Sequence, residues 1–111
     1  MKRPRLNRKL VLEERARVPD GLGGFAESWV AKGALWANLD ARGGAERQIG
    51  GRTVSVGKFR IITRAAPFGA DSRPRPDQCF REGGRRFDIL AVGEYDDAGR
   101  FLEIWAEEGR Q

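Results

Sequence analysis

The stretch Phe80-Arg81-Glu82-Gly83-Gly84-Arg85-Arg86-Phe87 decides the fold. Its central Gly-Gly pair suits the two-residue turn of a β-hairpin. Closing the chain there sets Glu82 opposite Arg85 and Phe80 opposite Phe87. Cross-strand pairs of opposite charge and of aromatic rings each contribute up to ~1 kcal/mol, so the turn and its flanks specify the same register. Downstream, Asp88 to Tyr95 continues as strand. Asp96-Asp97-Ala98-Gly99 turns it, and Arg100 to Glu107 returns with Phe101, Leu102, Ile104 and Trp105. Apolar residues lie on both faces of this second hairpin. A sheet with one wet face would not need that; a closed barrel, or a subunit packed between neighbours, would.

Upstream, the same punctuation recurs. Lys9 to Arg15 reads as a strand with Leu10 and Leu12 on one face and Val11 partly covering the other. Val18-Pro19-Asp20-Gly21 is turn chemistry, prolonged by Gly23-Gly24. A long strand follows from Phe25 to Asp40, with Gly33 marking a bulge or bend. Residues 41–52 (ARGGAERQIGGR) change character: two Gly-Gly pairs bracket room for barely one helical turn, which predicts a mobile loop with at most a short helix. Thr53 to Thr63 returns to strand. Residues 65–76 hold three of the five prolines and predict a loop that is a candidate for disorder. Residues 1–8 read as an unanchored basic arm. The sum is an all-β chain of about six strands, a small curled sheet or β-barrel over residues 9–108, with a long mobile loop between two strands.

Composition narrows the function. With no histidine among its 111 residues, the chain lacks the commonest general base and the commonest metal ligand. Few Ser or Thr side chains are present, and no motif places a base beside one. The single cysteine, Cys79, forms no internal disulfide, fits reducing conditions and reads as a half-buried small apolar residue. No enzyme activity, cofactor or metal is expected. No apolar run approaches the ~18 residues of a membrane span, and the basic N-terminus lacks the apolar middle of an export signal, so no membrane contact is expected either.

The net charge of +5 is carried by Lys2, Arg3, Arg5, Arg8 and Lys9, which leaves basic and acidic residues equal in number over the rest. Within that remainder, residues 41–87 are rich in arginine and residues 88–111 are acidic. Such a chain suits contact with phosphates, or head-to-tail stacking against copies of itself through complementary potentials.

The order of features resembles the phage head–tail joining family, also called head-closure or stopper proteins, of long-tailed phages and gene-transfer particles. The resemblance runs from about Leu6 to Glu108. It rests on Asp20-Gly21-Leu22-Gly23-Gly24-Phe25, Glu27-Ser28-Trp29 and Leu35-Trp36-Ala37-Asn38-Leu39. Gly44-Ala45-Glu46, Phe59-Arg60-Ile61, Gly84, Arg86-Phe87-Asp88-Ile89 and Phe101-Leu102-Glu103-Ile104 complete it. Where the family often has Arg-Glu, this chain has Ala45-Glu46 followed by Arg47.

The resemblance implies a small β-barrel that is a monomer in isolation and assembles as a ring of twelve copies at the head–tail junction of a virion or phage-like particle, built in the host cytoplasm. A portal or adaptor protein would lie above it and a tail-terminator protein below. The ring would close the channel for double-stranded DNA and offer the tail its attachment surface. By position, the gate would be residues 41–58, with Gly43, Gly44, Gly50 and Gly51 as hinges. Arg42, Arg47 and Arg52 would meet phosphates without sequence preference, and Glu46 lies among them. Trp29, Trp36 and Trp105 are expected in the core or at subunit interfaces. The basic arm, with Lys2, Arg3, Arg5, Arg8 and Lys9, would bind DNA or an acidic protein face. The rival reading is a small nucleic-acid-binding β-barrel acting alone, which would need exposed aromatics spaced to stack bases.

Overall fold

The computed structural model describes residues 3–109. Six strands follow in chain order: β1 (Arg8–Pro19), β2 (Phe25–Ile49), β3 (Arg52–Arg64), β4 (Cys79–Glu82), β5 (Arg85–Glu94) and β6 (Phe101–Gly109). All pairings are antiparallel, and the order β1-β2-β3-β6-β5-β4 closes on itself as a barrel. Closure leaves the barrel proper without sheet edges.

The Gly83-Gly84 hairpin has the register its sequence specifies, with Phe80 paired to Phe87 and Glu82 to Arg85. Gly83 takes φ 59° while Gly84 does not share it, the pattern of a type II′ turn, which demands glycine at its first central position. Phe80 and Phe87 are fully buried and join Leu10, Leu12, Ile61 and Ile104 in the core. Phe59 meets Phe87 edge-on at 5.1 Å. Gly33 marks a bulge, since Leu12 pairs with Gly33 but Glu13 pairs with Ala31.

Residues 41–52 differ from expectation. They form neither a loop nor a helical turn, because β2 continues through them and pairs with β3 as far as Ile49 and Arg52. The two Gly-Gly pairs do separate jobs. Gly50 and Gly51, with φ 58° and 76°, make the tight turn, which fits a type I′ hairpin. The register shift between Ala41 and Gly44 places a bulge at the other pair. Glycine pairs serve as turn and bulge as readily as loop, and the ladder bonds of a partner strand decided between them.

Two hairpins therefore project from the barrel. β1 pairs with β4 only through Val11 to Glu13, so residues 14–30 extend as one arm. β3 pairs with β6 only from Val56 onward, and β1 begins opposite Ala37, so residues 42–55 extend as a second. The arms lie at the two ends of β2, and the molecule reaches 53 Å in its longest dimension.

The connection from β3 to β4 is a loop as expected, but one folded into successive turns. Ala70 N–H donates to the Pro67 carbonyl, and Arg73 donates both to Ala70 through its backbone and to Ala66 through its guanidinium. Arg75 pairs with Glu14 and Lys32 reaches Asp71, tying the loop to the first arm. The basic arm is shorter than its sequence suggests, since Arg8 and Lys9 belong to β1.

Candidate functional site

The second arm carries the residues expected to face a channel. Residues directly opposite on an antiparallel pair share a face. Ala45 and Val56, Arg47 and Val54, and Ile49 and Arg52 lie on one side; Glu46 and Ser55, and Gln48 and Thr53, lie on the other. Val56 is buried and Arg47 forms an ion pair with Glu107 of β6, so the first face turns back toward the barrel. That contact raises the Arg47 pKa, through the hydrogen bond from its guanidinium to Glu107. The second face is polar, and Gln48 Nε2 donates to Thr53 Oγ1 at 2.7 Å across it. Arg42 is also engaged, 2.8 Å from Asp40. Of the three arginines expected to meet phosphates, Arg52 alone has no acidic partner among the described residues.

The tryptophans separate. None belongs to the core, which corrects half of the expectation, because the aliphatic and phenylalanine side chains already fill this narrow barrel. Trp29 is half-buried on the first arm, with the guanidinium of Arg15 5.0 Å and that of Arg86 4.8 Å from its ring centre. Trp36 is 57% exposed and Trp105 41%. Both stand on the outer wall of the barrel.

Beneath Trp29 lies a polar cluster that local sequence pattern does not announce. Glu13 is only 6% exposed. Its carboxylate accepts from Arg81 Nε at 3.0 Å and from Arg86 at 3.4 Å. Cys79 Sγ lies 4.0 Å away. Cys79 is fully buried rather than half-buried, and burial pushes its thiol pKa up. These contacts join β1 to β4 and β5 over long sequence distances, which local pattern does not reveal. Among the described residues no group of three or more Cys, Asp or Glu is placed to hold a metal ion.

Within the basic arm, Lys2 lies outside the described residues. Arg8 Nε donates to Glu82 at 2.7 Å, and this hydrogen bond holds the Glu82 carboxyl below its usual range. Arg3, Arg5 and Lys9 are exposed. The Arg5 carbonyl accepts from Asn38 Nδ2 at 3.0 Å, which lays the arm against β2.

A closed barrel with two projecting hairpins and an exposed aromatic wall defines a protein that works through its surfaces. Comparison with known proteins agrees. The chain belongs to the phage head completion protein family, whose family model matches residues 1–109 and whose members are structural virion proteins. It is similar to a chain in the virion of a native gene transfer agent particle, with 53% identity, 97% of this chain and 98% of that one covered, and a TM-score of 0.84. It also shares its fold with protein SF1141 from Shigella flexneri 2a, solved in solution. That match has 23% identity, covers 100% of this chain and 99% of the other, and has a TM-score of 0.68. No curated protein matches it.

Proposed function

We propose that this chain completes the head of a gene transfer agent or phage-like particle, forming a ring at the head–tail junction. The ring closes the DNA channel below the portal or adaptor and presents the surface to which the tail attaches. The observation that carries this reading is the 53% identity, over nearly the whole of both chains, to a chain of a gene transfer agent virion. The geometry supports it. A two-stranded ribbon is marginal on its own, so residues 42–55 suit an element that changes position within an assembly. Its polar face, Glu46, Gln48, Thr53 and Ser55, has no basic side chain to hold DNA in place.

Against the rival reading as a free nucleic-acid module, the Phe80–Phe87 pair is fully buried and cannot stack bases, and the exposed Trp36 and Trp105 stand on different strands, β2 and β6.

The test is addition of the purified protein to DNA-filled, tailless heads. Recruitment as rings with restored tail attachment is expected, and a variant lacking residues 43–51 should still form rings on particles that then lose DNA. Failure of recruitment refutes the reading, and particles that keep their genome after the deletion refute the gate.

A further inference from the structure

Most cations of the described chain are matched to acids within it. Arg81 and Arg86 share Glu13, Arg85 holds Glu108, and Arg60 spans Asp40 and Glu103. Arg15, Arg17 and Arg73 lie over aromatic rings instead, Arg52 stands at the tip of the second arm, and one further region departs from the pattern. Arg3, Arg5, Lys9 and Arg64 have no acidic partner among the described residues, and all four belong to the same part of the outer wall. Lys9 sits directly across the ladder from Trp36, on the same face. Arg3, Pro4 and Leu6 of the N-terminal segment line a groove of about 550 Å³ together with Trp36, Arg64 and Phe101. The guanidinium of Arg64 lies 5.9 Å from the Phe101 ring centre.

The groove has an apolar floor and a cationic rim. Phe101 is buried, Leu6 and Pro4 are half-buried, and the Trp36 ring is mostly exposed. Acids approach only at its far end, where Arg3 and Pro4 also line a smaller cleft with Asp96 and Asp97. Asp96 is already committed to Arg100, 3.4 Å away, and to the backbone of its own turn.

We propose that this groove is the docking site for an acidic polypeptide segment of another protein, one that carries an apolar or aromatic side chain between its carboxylates. Charge complementarity selects the sign of the occupant. The floor selects its class, because an aromatic ring at the centre of an interface is strong only when a partner side chain covers it. Duplex DNA satisfies the rim but brings nothing to cover Trp36, since its bases are stacked away and its phosphates are polar. The proposal sharpens the expectation that the basic arm meets DNA or an acidic protein face; its test uses the isolated chain, so its failure is distinguishable from failure of the head-completion reading, which is tested on particles.

The test uses the full chain, with the indole N–H signal of Trp36 followed by NMR at physiological salt. The probes are a random glutamate–tyrosine copolymer, polyglutamate, a twelve-base-pair DNA duplex and a single strand of the same length. The copolymer is expected to shift the Trp36 signal at lower concentration than the other three. Trp29 should stay unmoved, and Arg64→Glu should weaken binding about tenfold. A Trp36 signal indifferent to the copolymer, or binding unchanged by Arg64→Glu, overturns the proposal. Tighter binding of either DNA also overturns it and assigns the groove to nucleic acid. Arg17→Glu, which reverses a charge on the distant first arm, serves as the folded control and should leave binding unchanged.

Discussion

Phe87 is fully buried and contacts Phe59 edge-on, whereas Trp36 stands 57% exposed on the outer wall. Truncating a buried aromatic removes its transfer free energy and leaves a cavity that a tight barrel closes only in part. Phe87→Ala is therefore expected to destabilise the fold by about 3–5 kcal/mol, and Trp36→Ala by no more than about 0.5 kcal/mol. Urea unfolding of both variants checks this, and equal losses would contradict the placement of the two rings. The contrast also shows what single residues disclose. Phe80 and Phe87 were legible because turn, charge pair and aromatic pair lie within eight residues and agree. Glu13 and Trp29 were not, since Arg81 and Arg86, which reach them from across the fold, come from β4 and β5.

At the scale of elements, the two arms share β2 but differ in support. The first is braced by Arg75 and Lys32 acting on Glu14, and by Arg86 over Trp29. The second has Arg47 on Glu107 near its base and nothing comparable at its tip. Backbone amides that are paired across one ladder alone open at low free energy. Hydrogen exchange in the isolated protein should therefore be fast for residues 46–55 and slow for Ile61, Ile62 and Ile104, by at least about a hundredfold. Uniform protection along β3 would show the ribbon to be as stable as the barrel. Strand existence was legible here through alternation, and Gly33 correctly announced a bulge. The extension of β2 through Gly43 and Gly44 was not, because alternation fails where small residues meet no core. A ladder of backbone bonds leaves no trace in side-chain pattern.

For the whole molecule, acid stability follows from the ion pairs. The hydrogen bond from Arg8 holds the Glu82 carboxyl below its usual range, and Gln78, with Lys32 and Arg75, does the same for Glu14. A carboxylate whose folded pKa is depressed stabilises the fold above its unfolded value, about 4.3 for glutamate. That contribution is lost as pH falls through the folded value. The urea midpoint should hold from neutral pH down to about 5 and then decline, and Glu82→Gln should make the decline shallower. An unchanged acid slope in that variant would remove Glu82 from the account. A curled sheet or barrel was legible from apolar residues on both faces of the last hairpin, and the structure decides for closure. The strand order was not, because pairing β3 with β6 and β4 with β1 is a choice among whole-chain arrangements.

That order has a kinetic consequence. The barrel shuts along the contact of β1 with β4, which has only three residue pairs, Val11 with Arg81, Leu12 with Phe80 and Glu13 with Cys79. The Arg81–Glu13 bridge across it links residues 68 positions apart. Loop closure over such a distance is entropically late, and so short a ladder returns little until the core behind it is formed. Closing this contact last, from an open six-stranded sheet with two free margins, is therefore the expected order. The final stitch is also the shortest, which makes that stitch the natural place for the tube to come undone.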